Sequence, residues 1–451
     1  MIVIDVNAMR AQINRNRKWI YLGILVILGF LRVLIVKQVL LEPWRGVLVD
    51  SEQYLKLAEN IYENAAYQIP SEPTLDFFRT PGYPGFVAFI YLLPGGSLND
   101  LALIQFSIVI LTAIFVYFVG KELGQERVGF VAGVLVLLSP NALFWSVTYM
   151  TETVFTCGLV FVFLLMIRVI YGKGWIGWVG ILLGFLTLIR PIGLILILLW
   201  ALWFFVYILK ESGKRAAIKS TVVLSLMSAL ILLPWFSRNA LVHGHFSLSN
   251  VSNITFYSYH LAQTLVEGEG ISWEAAKAEI SQAGGSLSAA PEILLEHPVS
   301  FIQVQLRGIV RTLLGTESGT WLWLISEDVA VDQGSGFLDS LLSLDLRSIQ
   351  DAFKRLIRPE NLSEGILLFW GLGYAIIIFI LSLIGMWKSV RNGDRRMRSV
   401  LVLGMITIIY LCVSPGAAGE ARFRVPIEPI LAWMAGMTLW KIPKVSSGIL
   451  G

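Results

Sequence analysis

Eight ionisable residues draw attention because each lies near the end of an apolar segment. They are three carboxylates and five arginines: Asp50, Glu152, Glu420, Arg79, Arg190, Arg238, Arg422 and Arg424. A positioned carboxylate can act as a general base that takes a proton from a hydroxyl group. Arginine offers a fixed fork of N–H donors that matches phosphate oxygens. Together these residue types indicate a site for a phosphate-bearing lipid.

Each of these residues also has a purely structural interpretation. Asp50 could be a helix N-cap, with Gln53 completing a capping box. Glu152 follows Thr151 and could interact with the positive end of a helix dipole. Any one arginine could extend to lipid headgroups. Both interpretations stay open from the local sequence, but ionisable groups at membrane depth are costly and favour a functional role.

The elements that must position these residues are membrane helices. The chain has 451 residues, of which 56% are hydrophobic and 15% charged. Its apolar runs are continuous and reach the roughly 20 residues that a spanning helix needs, which excludes a membrane barrel. The net charge of +4 reflects short clusters of Lys and Arg and gives no indication of nucleic-acid binding. Cys157 and Cys412 lie inside apolar runs and predict neither a disulfide nor a metal pair.

The pattern predicts an all-α, polytopic protein with about ten transmembrane helices. The predicted spans are 18–41, 100–119, 127–147, 153–171, 175–189, 191–209, 216–236, 365–387, 399–414 and 425–440. The first is expected to be a retained anchor because it lacks a small-residue cleavage site. A cytoplasmic N-terminus puts the basic clusters on the same side and the arginines listed above on the other. We therefore expect a multi-pass protein of the cell membrane with its site on the non-cytoplasmic face.

Two segments are expected on that outer face. Residues 42–99 form a first loop, in which 50–64 should be helical and 83–93 a helix too short to cross the bilayer. Residues 238–364 form a small, partly helical cap with helices near 273–283 and 297–314. The chain thus divides into an N-terminal transmembrane module 1–237 that includes the first loop, the cap 238–364 and the C-terminal helices 365–451.

The predicted helix 297–314 is amphipathic. Its apolar residues gather on one side, and Arg307 and Arg311 lie one turn apart on the other. It could lie in the membrane interface as a gate over a lipid-phosphate cavity, with both arginines in the substrate cavity. It could equally be an ordinary cap helix that buries its apolar stripe against protein.

Six short motifs, in this order, resemble the GT-C glycosyltransferases, in particular the branch of protein O-mannosyltransferases and aminoarabinose transferases. They are Asp50-Ser51-Glu52-Gln53-Tyr54, Phe78-Arg79-Thr80-Pro81-Gly82-Tyr83-Pro84, Thr151-Glu152, Ile189-Arg190-Pro191, Pro234-Trp235-Phe236-Ser237-Arg238-Asn239 and Ala421-Arg422-Phe423-Arg424-Val425-Pro426. The resemblance extends over most of the chain but is weak across 240–364.

The resemblance implies an inverting transfer of a sugar from a polyprenyl-phosphate donor. Asp50 would be the base, with Glu152 a second carboxylate of the cavity and Tyr54 and Tyr83 lining it. The donor phosphate would contact five arginines: Arg79, Arg422, Arg424, Arg190 and Arg238. Many relatives have adjacent Asp and Glu in the first loop, whereas Ser51 separates Asp50 from Glu52 here. Which carboxylate acts, and whether Mg²⁺ or Mn²⁺ takes part, therefore stays open, and no metal ligands are assigned.

Two other classes of protein would also use charged groups in a membrane cavity. A lipid flippase or transporter would show paired repeats and broken helices at matching positions. An O-antigen-type polymerase or ligase would use outer-face arginines on the same carriers. The acceptor could be a protein, a lipid or a polysaccharide, and membrane lipids are the expected surroundings.

Overall fold

The structure is a computed structural model that describes residues 6–69, 72, 74–326, 337–342, 346–358 and 361–440. Throughout that part of the chain every regular element is a helix, so the predicted all-α class is confirmed. The predicted division into 1–237, 238–364 and 365–451 stays a prediction, and residues 441–451 lie outside the described part.

The helices before the cap segment differ widely in length. They are α1 Val6–Leu31, α2 Val33–Leu41, α3 Val49–Asn64, α4 Leu75–Phe78, α5 Gly82–Tyr91, α6 Leu98–Glu122, α7 Glu126–Leu138, α8 Pro140–Phe144, α9 Glu152–Ile170, α10 Ile176–Ile189, α11 Gly193–Ser212 and α12 Lys214–His243.

The second half has a series of short helices, then two long helices, and then one shorter helix. They are α13 Val251–Thr255, a π-helix Phe256–Leu261, α14 Ala262–Glu269, α15 Trp273–Gln282, α16 Ser286–Glu296, α17 Pro298–Leu314, α18 Ser318–Ile325, α19 Phe337–Leu342, α20 Leu346–Leu356, α21 Leu362–Asn392, α22 Arg395–Val413 and α23 Glu428–Leu439. The predicted helices at 50–64, 83–93, 273–283 and 297–314 correspond to α3, α5, α15 and α17.

Six helices are long and apolar enough to cross a membrane within the described residues: α6, α9, α11, α12, α21 and α22. The number is eight if two bent pairs each form one span. These pairs are α1–α2, bent by 48°, and α7 with the segment to Val147, bent by 66°. The other two predicted spans are α10 and α23, with 14 and 12 residues. They reach only about 21 and 18 Å, against a hydrocarbon core of roughly 30 Å. The protein is nevertheless a multi-pass membrane protein.

Close backbone contacts hold the spans together. A Cβ atom at Gly120 of α6 would lie 2.4 Å from the Cα of Gly129 of α7, so only glycine allows this approach. Small residues at helix crossings are typical of membrane bundles, where apolar surface alone gives no driving force between helices. The Trp200 indole donates a 3.0 Å hydrogen bond to Thr407 and joins α11 to α22.

Helix α17 packs on a turn, between α22 and α23, that contains two 3₁₀ segments, Gly416–Ala418 and Ala421–Arg424. Its buried face consists of Val304, Gly308 and Thr312. Its apolar residues Val299 and Ile302 are instead 65% and 56% exposed. The interpretation of an ordinary cap helix that buries its apolar stripe against protein is therefore wrong for this half of α17, which presents that stripe outward as an interfacial helix does.

Candidate active site

Asp50 lies in the first turn of α3, close to the end of the bent α1–α2 pair. The N-cap of α3 is Leu48, and no side chain caps it. The capping-box interpretation of Asp50 is therefore wrong. Gln53, its supposed partner, instead accepts a 2.8 Å hydrogen bond from Nε of Arg79. The side chain of Asp50 is 32% exposed and does not cap its own helix, so it can take part in a site.

Two guanidiniums from distant parts of the chain hold the Asp50 carboxylate. Nη2 of Arg79 donates to Oδ1 at 2.7 Å, and Nη1 of Arg422 donates to Oδ2 at 3.0 Å. Arg79 follows α4 in extended conformation, and its Nη1 donates to the Tyr54 hydroxyl at 3.1 Å. The structure thus brings together Asp50, Arg79 and Arg422. The sequence predicted that these three residues lie on the same face of the membrane.

These contacts set the protonation state of Asp50. Burial by itself raises the pKa of this carboxyl, but the Arg79 and Arg422 guanidiniums outweigh that effect and hold its pKa below the ordinary value. In turn, Glu420, Glu152 and Asp50 overcome the effect of burial and raise the pKa of Arg422. Asp50 is therefore an anion and Arg422 a cation near neutral pH.

Glu152 and Arg190 form a second ion pair beside the first. Glu152 begins α9 and is buried, and its Oε1 lies 2.8 Å from Nη1 of Arg190, which follows α10. The Arg190 guanidinium also lies 5.5 Å from the ring of Phe423, the neighbour of Arg422. Because Glu152 acts electrostatically on both Tyr54 and Arg422, the two ion pairs belong to one cluster.

Arg238 lies in a separate cluster that the sequence analysis missed. Its guanidinium donates to the buried carboxylate of Asp76, which also lies 3.1 Å from Nε2 of His243. The ring of Phe77 stacks on His243 at 4.9 Å between centroids. His243 ends α12, and its contact with Asp76 joins that helix to the segment of the first loop that carries Asp76. The only local signal was the position of Asp76, three residues before Arg79.

Arg424 is fully buried and points to the other side of the turn from Arg422. Its Nε donates to Glu428 at 2.9 Å. Its Nη1 donates to the backbone carbonyls of Thr312, Leu313 and Gly315 at the end of α17. The structure therefore does not bring Arg424 to the Asp50 cluster, and its predicted contact with donor phosphate stays a prediction.

The remaining predicted residues lie at varied distances from the cluster. Glu52 is exposed, about 200° around α3 from Asp50. Tyr54 contacts Arg79 directly, whereas Tyr83 is buried behind it, its ring 5.1 Å from that of Tyr54. Arg307 pairs with Glu267 of α14 at 2.5 Å, away from Asp50.

Arg311 lines a cavity near the turn 416–421, beside the cluster. The cavity also borders Glu420, whose Oε2 lies 2.8 Å from Nε of Arg422. Glu420 was singled out with the arginines but given no role.

A divalent cation would need several oxygen or nitrogen ligands brought together. Among the described residues, no group of three His, Cys, Asp or Glu side chains is placed to hold one. Both oxygens of Asp50 instead accept from arginines. The described residues around Asp50 thus assemble no metal-ligand set, participation of Mg²⁺ or Mn²⁺ stays a prediction, and the chemistry below is derived from side chains alone.

The comparisons with known proteins concern the family and the fold. A family model described as dolichyl-phosphate-mannose-protein mannosyltransferase matches residues 79–238, about a third of the chain. That segment contains Arg79, Glu152, Arg190 and Arg238. No curated protein matches in sequence.

Solved structures of an archaeal oligosaccharyltransferase from Archaeoglobus fulgidus share the fold. One, AglB with an inhibitory peptide and a dolichol-phosphate, has a TM-score of 0.52 and 17% identity and covers 94% of this chain. The apo form has a TM-score of 0.52 and 17% identity and covers 93%. A complex with Zn and sulfate has a TM-score of 0.51 and 16% identity and covers 92%. This chain covers 50%, 50% and 48% of those chains, so it spans about half the length of the enzyme.

The partial family match and the shared fold agree with the predicted likeness to the GT-C superfamily of membrane glycosyltransferases. Within that superfamily, its middle segment is similar to the dolichyl-phosphate-mannose-protein mannosyltransferases.

Proposed function

We propose that this protein transfers a glycosyl group from a polyprenyl-phosphate carrier to a hydroxyl acceptor on the non-cytoplasmic face of the membrane. The observation that carries the proposal is the Asp50 carboxylate held between Arg79 and Arg422. A base and a phosphate-binding pair of arginines are the two parts that such a transfer needs. Binding of dolichol-phosphate by the archaeal neighbour supports a lipid-phosphate donor here.

The chemistry follows from an exchange of partners at the arginines. When the donor phosphate binds Arg79 and Arg422, these guanidiniums turn from Asp50 to the phosphate oxygens. Asp50 loses the charges that lower its pKa, so it becomes a stronger base at the moment the donor is in place. The donor thereby activates the base.

The reaction is a single displacement. Asp50 takes the proton of the acceptor hydroxyl, and the oxygen attacks the anomeric carbon. The bond from that carbon to the phosphate oxygen breaks, its electron pair stays on the lipid phosphate, and the arginines stabilise the charge. The configuration at the anomeric carbon is inverted. The lipid phosphate leaves as an anion and needs no general acid.

Glu152 supports this site from within the protein. Its carboxylate is buried and paired with Arg190, so we assign the proton transfer to Asp50 and not to Glu152. The pair fixes Arg190 near Phe423, and the negative charge of Glu152 helps to keep Arg422 cationic.

The acceptor class stays open among protein, lipid and polysaccharide. The flippase and transporter alternatives have no comparable support, because the family match and the fold are those of glycosyltransferases.

The test is transfer of labelled mannose from a polyprenyl phosphomannose by the purified protein with membrane extract as acceptor. Asp50→Asn removes the base but keeps the volume, and we expect transfer to fall by at least about 100-fold. Asp100→Asn is the matched control, because Asp100 lies at the start of α6 and bonds only its neighbour Ser97. Full turnover by Asp50→Asn would assign the base elsewhere.

A further inference from the structure

A polar cavity of about 450 Å³ lies beside the Asp50 cluster. It is formed by the turn before α18, the helices α18 and α21, and the turn 416–421. Three carboxylates line it: Glu317, Glu364 and Glu420. Its volume is typical of a small-molecule site. The reaction scheme above makes no use of it.

Arg422 connects the cluster to the cavity, because it pairs with Glu420, a residue of the cavity lining. Arg422 contacts Asp50 through Nη1 at 3.0 Å and lies 2.8 Å from Glu420 through Nε. The backbone N–H of Ala421, next to Arg422, donates to the Glu317 carboxylate. A ligand in the cavity would thus be separated from the Asp50 carboxylate by one guanidinium, and its phosphate could lie on that guanidinium.

The charges in the cavity select the ligand. The guanidiniums Arg311 and Arg355 line it together with the three carboxylates, so acidic groups outnumber basic ones. Burial raises the pKa of Glu317 to about 7, and the nearby Glu420 carboxylate adds to the rise, whereas Arg422 and Arg424 act against it. Near neutral pH the Glu317 carboxyl can therefore either donate or accept a hydrogen bond. With Glu317 partly neutral, the charges of the lining nearly balance, which suits an uncharged ligand that carries hydroxyl groups.

Further hydrogen-bonding groups surround these acids. The Ser318 hydroxyl lies 3.5 Å from Glu364, and Thr316, Thr320 and Gln263 also line the cavity. Among the lining glycines, Gly319 leaves room near the backbone, whereas Gly315 and Gly419 pack closely against other backbone atoms. A ring that carries several hydroxyl groups would find partners among these side chains, and its apolar face could pack on Phe337, Leu356 and Leu368, which also line the cavity.

We propose that this cavity binds an uncharged glycosyl unit, through Glu317 and Glu420, while the carrier phosphate is held by Arg79 and Arg422. The inference rests on the proposed function and specifies its substrate class. The glycosyl unit is either the sugar of the donor or a saccharide acceptor, since both present the same hydroxyl chemistry. Glu317 is then a substrate-binding residue outside the motifs of the sequence.

A cysteine at position 319 tests occupancy without any need for turnover. Gly319 lines the cavity, and a Cβ atom there would have nothing within 4 Å, so Gly319→Cys should fold normally. The native cysteines are buried and give a low background. The rate of maleimide labelling is measured with polyprenyl phosphomannose, with the same polyprenyl phosphate without sugar, and with methyl mannoside.

Each result has one meaning. Protection by the phosphomannose but not by the bare phosphate assigns the cavity to the donor sugar. Protection by methyl mannoside alone assigns it to a saccharide acceptor. Equal protection by bare phosphate and phosphomannose, or no protection by any of the three, overturns the proposal.

A second variant gives a kinetic test. Glu317→Gln keeps the shape but cannot ionise, and we expect the KM for phosphomannose or for a mannoside acceptor to rise about tenfold, with kcat little changed. Glu274→Gln is the control, because Glu274 is on α15 with its side chain 81% exposed.

The two proposals fail in different ways. Transfer by the wild type with an unchanged KM for both substrates in Glu317→Gln would refute the glycosyl site and leave the proposed function intact. Protection of Gly319→Cys by a mannosyl compound, in a protein whose wild type transfers nothing, would refute the function and leave the site.

Discussion

The Asp50 carboxylate combines two properties that seem to conflict in a general base. It is ionised, because Arg79 and Arg422 lower its pKa, but the same contacts make it weakly basic and occupy both oxygens. The conflict disappears if the donor phosphate competes for these arginines. A site of this kind holds its base weakly basic until the donor arrives.

Two substitutions at Arg422 separate its charge from its shape. Arg422→Lys keeps the cation that lowers the Asp50 pKa but loses the planar fork. We expect the KM for donor to rise about tenfold, with the acid limb of the pH profile of kcat/KM unmoved. Arg422→Gln also removes the charge, so the Asp50 pKa rises. Loss of activity on acidification should then begin at higher pH, by on the order of one unit.

The control for both variants is Lys56→Gln, since Lys56 is an exposed cation on the same helix as Asp50 and pairs with Glu72. Equal pH profiles in all variants, together with an unchanged donor KM, would mean that Arg422 neither holds the phosphate nor tunes Asp50.

The sequence predicted which residues share a face but not which of them touch. Arg422 and Arg424 are indistinguishable in the motif, yet the 3₁₀ turn between 421 and 424 directs one to Asp50 and the other into the protein. The position of Asp76 near Arg79 did not reveal its partner, because Arg238 is 162 residues away. Pairing of this kind depends on tertiary packing, which the side-chain types alone do not encode.

At the scale of elements, Arg424 anchors one end of α17. Its guanidinium satisfies carbonyls of the last turn and of Gly315, and its partner Glu428 belongs to α23. The other end of α17 has exposed apolar residues and a surface ion pair, Arg307–Glu267. A gate built from α17 would therefore pivot at Gly308–Leu314 and move at 298–306.

Hydrogen exchange can detect that motion. We expect amides of 298–306 to exchange more slowly when a polyprenyl phosphate is bound, because an ordered gate closes over it. Amides of 308–314 should keep their protection in both states, and α15 serves as an internal control in the same outer segment. Unchanged exchange throughout α17 would leave it a fixed structural helix.

Gly308 is the contact through which α17 supports the turn that carries Arg422. A Cβ atom there would lie 1.7 Å from the carbonyl oxygen of Gly416, which is backbone and cannot move aside. Gly308→Ala should therefore cost about 1–3 kcal/mol of stability by overpacking and reduce transfer as well.

Gly373 of α21 supplies the opposite case, since an added Cβ atom has nothing within 4 Å. Gly373→Ala should gain roughly 0.5–1 kcal/mol through helix propensity. Thermal unfolding in detergent compares the two. Equal melting temperatures for the Gly308→Ala and wild-type proteins would show that α17 and the turn are not tightly packed.

At the scale of the whole molecule, hydropathy predicted the membrane segments well but not their shapes. The spans at 18–41 and 127–147 are bent pairs, broken near Arg32 and at Pro140, and α10 and α23 are shorter than a bilayer core. An apolar run shows that a segment avoids water, but it does not say how the segment bends. The bends come from packing and from residues such as Pro140, which interrupts the hydrogen-bond ladder.

The orientation of the molecule decides on which side the reaction takes place. The prediction rests on basic clusters such as Arg395–Arg396 being cytoplasmic, which puts Asp50 and the cavity outside. Single cysteines provide the test, because Cys157 and Cys412 are buried and should label little. Exposed positions exist on both sides: Glu63 lies in the last turn of the first-loop helix α3, and Asn392 ends α21 next to the basic cluster.

We expect Glu63→Cys to react with a membrane-impermeant maleimide in intact cells, and Asn392→Cys to react only after the membrane is permeabilised. Both variants should label equally in detergent, which controls for the intrinsic reactivity of each thiol. Since the charge pattern alternates over the whole chain, a single reversed position would point to an error in the number of spans between them. Reversal of both would put the Asp50 cluster on the cytoplasmic face. The sugar of the donor would then have to lie on that face of the membrane.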